Sequence, residues 1–486
     1  MPRLAFLVAS LVAFAGCEKL NPLYCSDEPH PSGPGCIADP DAQSEPDAPR
    51  GPCQVNNDCT GTPNTPVCDT KQSPHMCVQC TDEEHALCTG ITPVCKNNSC
   101  AAACVSDDDC DTGGLCLPDG ACAASASIIR AVANGGKNVR GCGVPEGPGA
   151  CTLERALTEA DDTKNVIKLD DNGPYTPGTN NNFVVNKNVT IDARGSDLGG
   201  AVLHPANATN NNPILTINSN KIVTIFGGKI EGPNNSDGIF CDQTATLTID
   251  GTIIDTIDKS AINARNGCKL TVTHATISNT SQGGQFVASI LAAGNNSVTL
   301  SRSTLFSNKG GGISVTNGTF VLVGNSFSNN GDTMSPVGGV LIATTTSDPM
   351  NRIEFNTIGS NRATSGGKAP GVDCTTGSGF IARNNIIWNN ITGSGSTAGL
   401  QVGGTCQHAY SNIQMPIAGT VHDGESNQNI DPMFVAPIYD LHLQPTSPMI
   451  MQADPNANLD GVAAKDFDGD PRIAPGDIGF DQHPRP

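Results

Sequence analysis

A short apolar phrase recurs through the second half of the chain and limits the folds open to it. DGIFC (237–241), GGISV (311–315) and GGVLI (338–342) each open on small or polar residues and continue into apolar ones. The first inward-facing residues of these and the related phrases lie 23 to 32 positions apart. We assign them as Ile239, Ile262, Val287, Ile313, Val340, Val372 and Leu400. A period of this length predicts a solenoid, because one repeat cannot bury an apolar face until its neighbour stacks on it.

A second phrase interleaves with the first, as in TIIDT (252–256), TISNT (276–280) and TLFSN (304–308). Several short strands per repeat, separated by Gly- and Asn-rich turns, are typical of a parallel β-helix. We therefore predict an all-β fold in which residues 123–426 form a parallel β-helix of roughly nine rungs. Polar residues at one turn position predict a hydrogen-bonded ladder along the stack. They are Thr256, Thr280, Asn308, Asn330, Asn361 and Asn389.

Four cysteines of this region occupy matching places in the repeat. Cys241 and Cys374 each lie two residues after a strand marker, and Cys268 and Cys406 each lie six residues after the next marker. Stacked rungs bring such positions together. We predict two equivalent disulfides, 241–268 and 374–406, that join neighbouring rungs.

Both ends of a solenoid expose an open strand edge, which invites aggregation unless it is covered. At the front, the segment CTLERALTEADD has apolar residues at helical spacing after a candidate N-cap, Thr152. We predict a capping helix near 152–162, with Cys142 joined to Cys151 just before it. At the back, residues 427–486 are expected to form the C-terminal cap.

These end segments resemble a known family. GCGVPEGPGACTLERAL is similar to the "CSLREAI" segment that precedes β-helices in many bacterial exported proteins. Together with NIDPMF, YDLHLQPTSPMI and DFDGDPRIAPGDIGFDQ, it resembles the choice-of-anchor Q domain over roughly residues 125–482. The resemblance implies a right-handed β-helix on a cell-surface or secreted protein, and it implies no particular activity.

Residues 53–122 carry twelve cysteines in three groups of four, each opened by a similar phrase such as CQVNNDC or CVSDDDC. Repeats this small cannot bury a core, so we predict a module held together by disulfides, with the pairing left open. Zinc is the alternative, because Cys77 and Cys80 form a C-x₂-C pair. A zinc ribbon needs a second such pair at suitable spacing, and none follows.

The N-terminal residues 1–16 read as a secretory signal peptide, with Arg3 before an apolar run that is too short to span a membrane. The end of this run, AFAGC, resembles a bacterial lipobox, which predicts lipidation of Cys17; cleavage after Ala15 is the alternative. Residues 17–52, rich in Pro, Asp and Ser, read as a disordered tether. We therefore expect a bacterial cell-envelope protein, anchored to the outer membrane by lipid or released outside the cell.

The net charge of −20 argues against a nucleic-acid partner, because phosphate binding needs a basic face. The partners we expect are the membrane, reached through the lipid, and a polysaccharide or another surface protein. The leading hypothesis is a non-catalytic display or binding protein. The alternative is a polysaccharide lyase or glycoside hydrolase that acts on acidic polysaccharide in a groove of the β-helix.

The stretch LTIDGTIIDTIDK raises the question of catalysis, because it holds Asp250, Asp255 and Asp258 within nine positions. In the rung pattern the three fall at different places, so we predict separate surface positions. Convergence of two carboxyl groups would instead indicate a glycosidase. Arg265 and Lys269 lie nearby in sequence and are weak candidates for the base of a lyase.

Two further features are open to a functional and a structural interpretation. Trp388 falls at an outward turn position, where it either forms a platform for a sugar ring or packs under the C-terminal cap. Asp466, Asp468 and Asp470 resemble a calcium loop but lack the EF-hand order. The alternative is a capping turn in which Arg472 pairs with an aspartate, either Asp470 or Asp477. Calcium is thus possible, and no other cofactor is expected.

Overall fold

A computed structural model describes most of the chain after residue 102. The described ranges are 103–178, 181–195, 199–209, 211–345, 348–364, 368–375, 380–395, 400–415 and 423–483, together with 53–54, 59, 67–70, 75–79, 94–96 and 99–101. The predicted signal peptide, the lipidation site Cys17 and the predicted tether lie outside the described residues.

Three parallel sheets run the length of a solenoid, and each complete turn contributes one strand to each sheet. Sheet A contains β7 (Ile128–Ala131), β8 (Val166–Leu169), β10 (Val189–Asp192), β13 (Ile222–Phe226), β16 (Thr246–Asp250), β19 (Lys269–Thr273), β22 (Ser297–Ser301), β25 (Thr319–Val323), β28 (Arg352–Glu354), β32 (Ile381–Arg383) and β36 (Gln407–Ala409). Sheet B contains β9 (Phe183–Val185), β12 (Leu215–Ile217), β15 (Ile239–Cys241), β18 (Ile262–Arg265), β21 (Ile290–Ala293), β24 (Ile313–Thr316), β27 (Val340–Ala343), β31 (Val372–Cys374) and β35 (Val402–Gly404). Sheet C contains β11 (Val202–Leu203), β14 (Lys229–Glu231), β17 (Ile253–Asp255), β20 (Thr276–Ser278), β23 (Thr304–Phe306), β26 (Ser326–Ser328), β29 (Thr357–Gly359), β33 (Ile386–Trp388) and β37 (Asn412–Ile413).

The remaining elements are short. They are the strands β1 (Val67–Asp69), β2 (Met76–Val78), β3 (Val94–Lys96), β4 (Ser99–Ala101), β5 (Leu115–Cys116), β6 (Cys122–Ala123), β30 (Arg362–Ala363), β34 (Ile391–Thr392), β38 (Phe434–Ala436) and β39 (Asp440–Leu443), the helix α1 (Leu153–Glu159), and 3₁₀ turns at Asp107–Asp109, Ser125–Ser127 and Gly461–Ala463. The chain is therefore an all-β parallel solenoid with very little helix. Nine strands each in sheets B and C give eight steps from first to last.

The core is a column of apolar side chains inside the stack. Alternate residues of each strand point inward, so in-register pairing places like residues above one another. In sheet A, for example, Ile225 pairs with Ile249, Ile249 with Val272, and Val272 with Leu300, and all are fully buried. Each rung alone would expose these side chains, so the stack buries them jointly, as the repeat predicts.

The predicted register is wrong at two of the seven strand markers. In sheet B the residue that pairs with Ile262 is Ile290 rather than Val287, and the residue that pairs with Val372 is Val402 rather than Leu400. Leu400 is exposed. Both errors follow turns of unusual length, where sequence spacing cannot tell which apolar residue enters the strand. Backbone pairing with the neighbouring strands decides it.

A buried amide ladder runs along the turn after sheet C, as expected, although not through every predicted residue. Its consecutive hydrogen-bonded members are Thr280, Asn308, Asn330, Asn361, Asn390 and Gln401. Thr256 and Asn389 are instead exposed residues with positive φ, one position earlier in the turn. A second buried ladder, which the sequence pattern did not predict, connects Ser303, Asn325, Asn356, Asn385 and Ser411.

Disulfides join Cys241 to Cys268 and Cys374 to Cys406, the pairs that the matched offsets predict. The two disulfides also occupy equivalent positions in the observed strand register. Cys241 and Cys374 are each the third residue of a sheet B strand, and Cys268 and Cys406 each directly precede a sheet A strand. A further disulfide joins Cys142 to Cys151.

Helix α1 covers the front end of the solenoid. The Thr152 hydroxyl accepts a hydrogen bond from the Arg155 backbone N–H, as expected of an N-cap. The apolar face of the helix, including Leu153, Ala156 and Leu157, is buried. At the other end, isolated bridges join Asp423 to His408 and 428 to 412, so the chain adds a partial layer to the last turn.

The cysteine-rich region is held by disulfides that pair first with third and second with fourth in two of its groups. The bonds are Cys53–Cys68, Cys59–Cys77, Cys104–Cys116 and Cys110–Cys122. The bond to Cys59 removes Cys77 from the alternative zinc pair. The last group packs directly on the solenoid, because Leu115 and Ala123 share an apolar cluster with Ile128 and Val166.

Candidate functional site

The outer face of sheet A carries a column of threonines. Thr190, Thr224, Thr248, Thr271 and Thr299 occupy the same outward position on five consecutive strands. Alternation sends their neighbours into the core and leaves these side chains half-buried on the surface. Adjacent strands lie about 4.8 Å apart, so the column offers a regular row of hydroxyl groups along the solenoid.

Part of this face is covered by the loop between β5 and β6. Asp107 joins the last cysteine group, Cys104 to Cys122, to the solenoid. Its carboxylate accepts a hydrogen bond from Arg194 at 2.8 Å and lies 3.8 Å from the Lys168 ammonium group. The loop and the sheet enclose a cleft of about 460 Å³. Its lining consists of Leu117, Pro118, Asp119, Thr190, Thr224, Thr248, Asp250, Thr273, His274 and Arg302.

Three charged or ionisable side chains meet at one edge of the cleft. His274 Nδ1 lies 2.8 Å from Asp250 Oδ1, and Arg302 follows one turn further along the stack. The Arg302 Nε atom is buried and has no hydrogen-bond partner in the described structure. These groups can donate to and accept from hydroxyl groups, and the guanidinium group can also bind an anion.

His274 and Arg302 hold a left-handed backbone conformation, as do the residues that follow the other sheet A strands from β13 to β36. They occupy the residue after a sheet A strand, where Gly251 and Gly324 stand in the flanking turns, and all four have φ between 46° and 68°. An L-residue in this left-handed region is disfavoured by about 1–2 kcal/mol relative to its usual conformation. The same position holds Phe355, Asn384 and Tyr410 in later turns, also at positive φ, so this conformation belongs to the turn, and it is the side chains of His274 and Arg302 that distinguish the cleft.

The sequence pattern singles out Asp250 but does not bring His274 and Arg302 together with it. A signal was present. The aligned phrases TLTIDG, KLTVTH, SVTLSR and FVLVG place His274 and Arg302 where the two flanking turns have glycine. The outward threonine of the first three phrases lies in the same alignment.

The three aspartates of the stretch LTIDGTIIDTIDK lie at separate positions, as predicted. Asp250 ends β16 in sheet A, whereas Asp255 ends β17 in sheet C and Asp258 accepts a hydrogen bond from the Asn235 N–H in the preceding turn. Burial raises the pKa of Asp255, but hydrogen bonds from Asn279 and Ser278 and the charge of a nearby lysine outweigh it and hold this pKa below its ordinary value.

Arg265 and Lys269 do not join Asp250 in a site. The Arg265 guanidinium lies over the Phe240 ring at 5.8 Å and donates to Asn263. Lys269 begins β19, whereas Asp250 pairs with Thr273 at the end of that strand. Lys269 and Thr273 are four residues apart on this strand, which places Lys269 about 13 Å along the strand from the end where Asp250 lies.

Trp388 shares its outward column in sheet C with Asp255 and Ser278. Its side chain is half-buried and packs against an apolar cluster formed with the C-terminal segment, which includes Phe434, Leu441 and Met449. The structure therefore places Trp388 beside this segment, as in the second of its two sequence interpretations.

The aspartates of DFDGD have different partners and form no common ligand set among the described residues. Both carboxylate oxygens of Asp466 accept backbone hydrogen bonds, from Asp470 N at 2.7 Å and from Gln482 N at 3.0 Å. The buried Arg472 donates to the carbonyls of Gly479 and Phe480 rather than to an aspartate. Asp466 thus closes a turn through its backbone partners, whereas the Asp468 carboxylate lies beside His442.

Within the described residues, no helix is long and apolar enough to cross a membrane.

Comparison with known proteins supports the fold. Residues 237–413 match the family model described as a right handed beta helix region. No curated protein sequence matches the chain. Among solved structures, a crystal structure of a pectate lyase is similar with a TM-score of 0.38 and 14% sequence identity, over 74% of this chain and 100% of that one. The three parallel sheets and the family match over residues 237–413 together define the chain as a right-handed parallel β-helix with a short capping helix, preceded by a small disulfide-rich module.

Proposed function

We propose that the cleft on sheet A binds a neutral, hydroxyl-rich polymer, a segment of polysaccharide, and that the protein holds this ligand at the cell envelope without cleaving it. The observation that carries the proposal is the row of threonine hydroxyls that leads under the 117–120 loop to Arg302, His274 and Asp250. The β-helix then serves as a rigid support for a long, shallow binding face.

The chemistry of the cleft suits a sugar chain. Threonine hydroxyls both donate and accept hydrogen bonds, as sugar hydroxyls do, and Leu117 and Pro118 offer apolar contact to the faces of sugar rings. Each such hydrogen bond contributes only about 0.5–1.5 kcal/mol net, so useful affinity needs several along a row. A stack with a fixed strand spacing supplies that row with little loss of side-chain freedom.

Charge favours a neutral ligand over an acidic one. The chain carries a net charge of −20, and Asp119 and Asp250 both line the cleft. A polyanion would be repelled at long range and would meet only Arg302 as a permanent cation among the lining residues. The acidic polysaccharide of the alternative hypothesis is therefore the less suitable ligand.

Hydrolysis of the bound chain is the second candidate function, favoured by one observation. Asp119 on the loop and Asp250 on the sheet line the same cleft from opposite sides. Glycosidases place two carboxyl groups across the scissile bond, about 5–9 Å apart. Binding and hydrolysis share the cleft and differ in what happens to the sugar.

The test is binding of neutral and acidic oligosaccharides to the full chain, with release of reducing ends followed in the same samples. We expect neutral oligosaccharides to bind without cleavage. The double variant Thr224→Val/Thr248→Val keeps the β-branched shape and removes two hydroxyls, so affinity should fall about 5- to 150-fold. Thr276→Val, an exposed strand threonine on sheet C, is the matched control and should bind as the wild type does.

Two results would contradict the proposal. One is affinity that is equal in the double variant and the control. The other is release of reducing ends that disappears in Asp250→Asn, which would replace binding by hydrolysis.

We also propose that the N-terminal residues anchor the protein to the outer membrane. The support is the AFAGC phrase, the odd count of 21 cysteines and the Pro-rich segment 17–52, which would act as a spacer. Labelling of cells with a radioactive fatty acid should mark the wild-type chain. Cys17→Ser should remove both the label and the membrane fraction of the protein, and a variant that stays in the membrane would refute the anchor.

A further inference from the structure

A histidine and two aspartates converge beside the β-helix, far in sequence from the cleft. His442 lies on β39, and Asp468 and Asp481 lie in the C-terminal segment that follows. One potential ligand atom from each lies within 4.8 Å of the other two. Asp481 is buried, whereas Asp468 is exposed, so the group has a closed side and a side open to solvent.

The orientation of His442 is set by Asp440. The Asp440 carboxylate accepts hydrogen bonds from both the backbone N–H and the ring Nδ1 of His442. The ring also packs against Phe480, with centroids 4.9 Å apart, and near Phe467 at 6.1 Å. With Nδ1 occupied in this way, the Nε2 atom faces Asp468 and Asp481.

This Nε2 atom has no hydrogen-bond partner, although it is buried. Asp468 Oδ2 lies 3.3 Å away but not in hydrogen-bonding geometry. In the neutral imidazole with Nδ1 protonated, Nε2 presents a lone pair to two acidic groups. Such an arrangement is stable only with a cation between them, either a proton on Nε2 or a metal ion.

The distances suit a metal ion. Ligand bonds of about 2.0–2.2 Å at a tetrahedral angle place two donor atoms about 3.4 Å apart. The distance of 3.3 Å between His442 Nε2 and Asp468 Oδ2 matches this value. The three candidate ligand atoms all lie within 4.8 Å of one another, so the Asp481 carboxylate needs to move by at most about 1.4 Å to complete the set.

The surroundings also suit a cation. The buried Asp481 carboxylate lies close enough to Asp466 and Asp468 for the three negative charges to repel one another. Carboxyl groups crowded in this way are stabilised by a positive charge. In many zinc sites a carboxylate accepts a hydrogen bond from one ring nitrogen of a histidine while the other ring nitrogen binds the metal. Asp440 has this position relative to His442 Nδ1.

We propose that His442, Asp468 and Asp481 bind a divalent transition-metal ion, with Zn²⁺ as the best representative, and that Asp440 orients the histidine. One nitrogen and two carboxylate oxygens are a donor set for Zn²⁺. Calcium requires six to eight oxygen ligands and does not select histidine. A bound ion would join β39 to the C-terminal loop and tighten the segment that packs on the last turns.

The test uses the full chain with its disulfides intact, freed of metal by a chelator and then titrated with Zn²⁺ and with Co²⁺. We expect one equivalent of Zn²⁺ to bind and the Tm to rise. Co²⁺ should give the visible absorption of a tetrahedral site. Asp468→Asn changes an exposed side chain and should leave the fold intact while weakening Zn²⁺ binding at least tenfold.

His442→Ala should abolish binding, and His204→Ala, which removes a histidine outside the group, is the matched control. The proposal is wrong if no Zn²⁺ binds, or if Asp468→Asn and His204→Ala bind it equally. It is also wrong if the ring of His442 remains protonated on both nitrogens in the presence of Zn²⁺, as ¹⁵N chemical shifts would show. In that case a proton holds the group together.

Discussion

Replacing Asn330 by alanine should destabilise the solenoid far more than the same change one position earlier. The Asn330 side chain is fully buried and makes four hydrogen bonds. Its oxygen accepts from Asn308 N at 3.3 Å and from Asn308 Nδ2 at 2.8 Å. Its nitrogen donates to Leu305 O at 2.8 Å and to Asn361 Oδ1 at 2.9 Å.

At about 1 kcal/mol net for each bond, Asn330→Ala loses about 4 kcal/mol, before any cost of the groups left behind. Asn308 Nδ2 keeps its bond to the Ile277 carbonyl, but the Asn308 backbone N–H is left buried without that acceptor. Unsatisfied buried donors cost about 1–3 kcal/mol, so the total is about 5–7 kcal/mol.

Asn329→Ala is the matched control. Asn329 is exposed, makes one side-chain bond of 2.9 Å to Ser307 and has φ 55°. Its loss should cost about 1–2 kcal/mol, mostly because alanine is disfavoured in the left-handed region. Neighbouring asparagines of the same turn thus differ because one faces the core and the other faces water.

Urea unfolding measured by Trp388 fluorescence and by far-UV circular dichroism would give both values. Trp388 is the single tryptophan and lies two strands further along sheet C, so it reports on the same stack. Solenoids can unfold in parts, so the two probes must coincide before free energies are compared. Equal destabilisation by the two variants would refute the reasoning, because it would show that the buried amide ladder contributes nothing beyond the turn itself.

Three further predictions concern stability. Asp255→Asn should lower the free energy of unfolding more at pH 7 than at pH 3, as measured by urea unfolding. A carboxyl group whose pKa is lowered in the folded state stabilises the fold at pH values above the pKa of the unfolded state, and this stabilisation is lost as the pH falls through the folded-state pKa. An equal loss at both pH values would contradict the prediction. Replacing Cys241 and Cys268 by alanine opens a 27-residue loop and should cost about 3.5 kcal/mol in the loop-entropy estimate, which an unchanged unfolding midpoint would refute. Gly331→Ala would place a Cβ atom 1.8 Å from a carbonyl oxygen of the next turn and should lower the Tm. Gly461→Ala is the control, because its φ is also positive but its added Cβ atom would meet open space. Equal changes in Tm would show that the turn at Gly331 adjusts freely.

The repeat predicted the architecture because the cause is local and periodic. Each rung has the same inward residues and the same turn chemistry, so Ile239, Ile262 and Ile313 could be placed in one column from spacing alone. The same reasoning paired Cys241 with Cys268 and placed the capping helix after Thr152. Short-range signals such as an N-cap or a fixed offset between cysteines need no knowledge of distant parts of the chain.

The register at Val287 and Leu400 and the ladder position of Asn389 could not be read from the sequence. A single step along a strand or turn exchanges a buried side chain for an exposed one, and turns of variable length hide that step. Only pairing with both neighbours decides it, which is why Asn390 rather than Asn389 enters the buried ladder.

By itself, the sequence determined a disulfide-rich module followed by a stacked parallel β-helix, because composition and periodicity act within each repeat. Only the tertiary structure brought Asp250, His274 and Arg302 to one edge of a cleft, and only it placed the 117–120 loop above them. The same holds for His442 and Asp481, which lie about 40 positions apart in sequence. Side chains from different turns and segments meet through packing, and packing depends on shapes and register that no local pattern encodes.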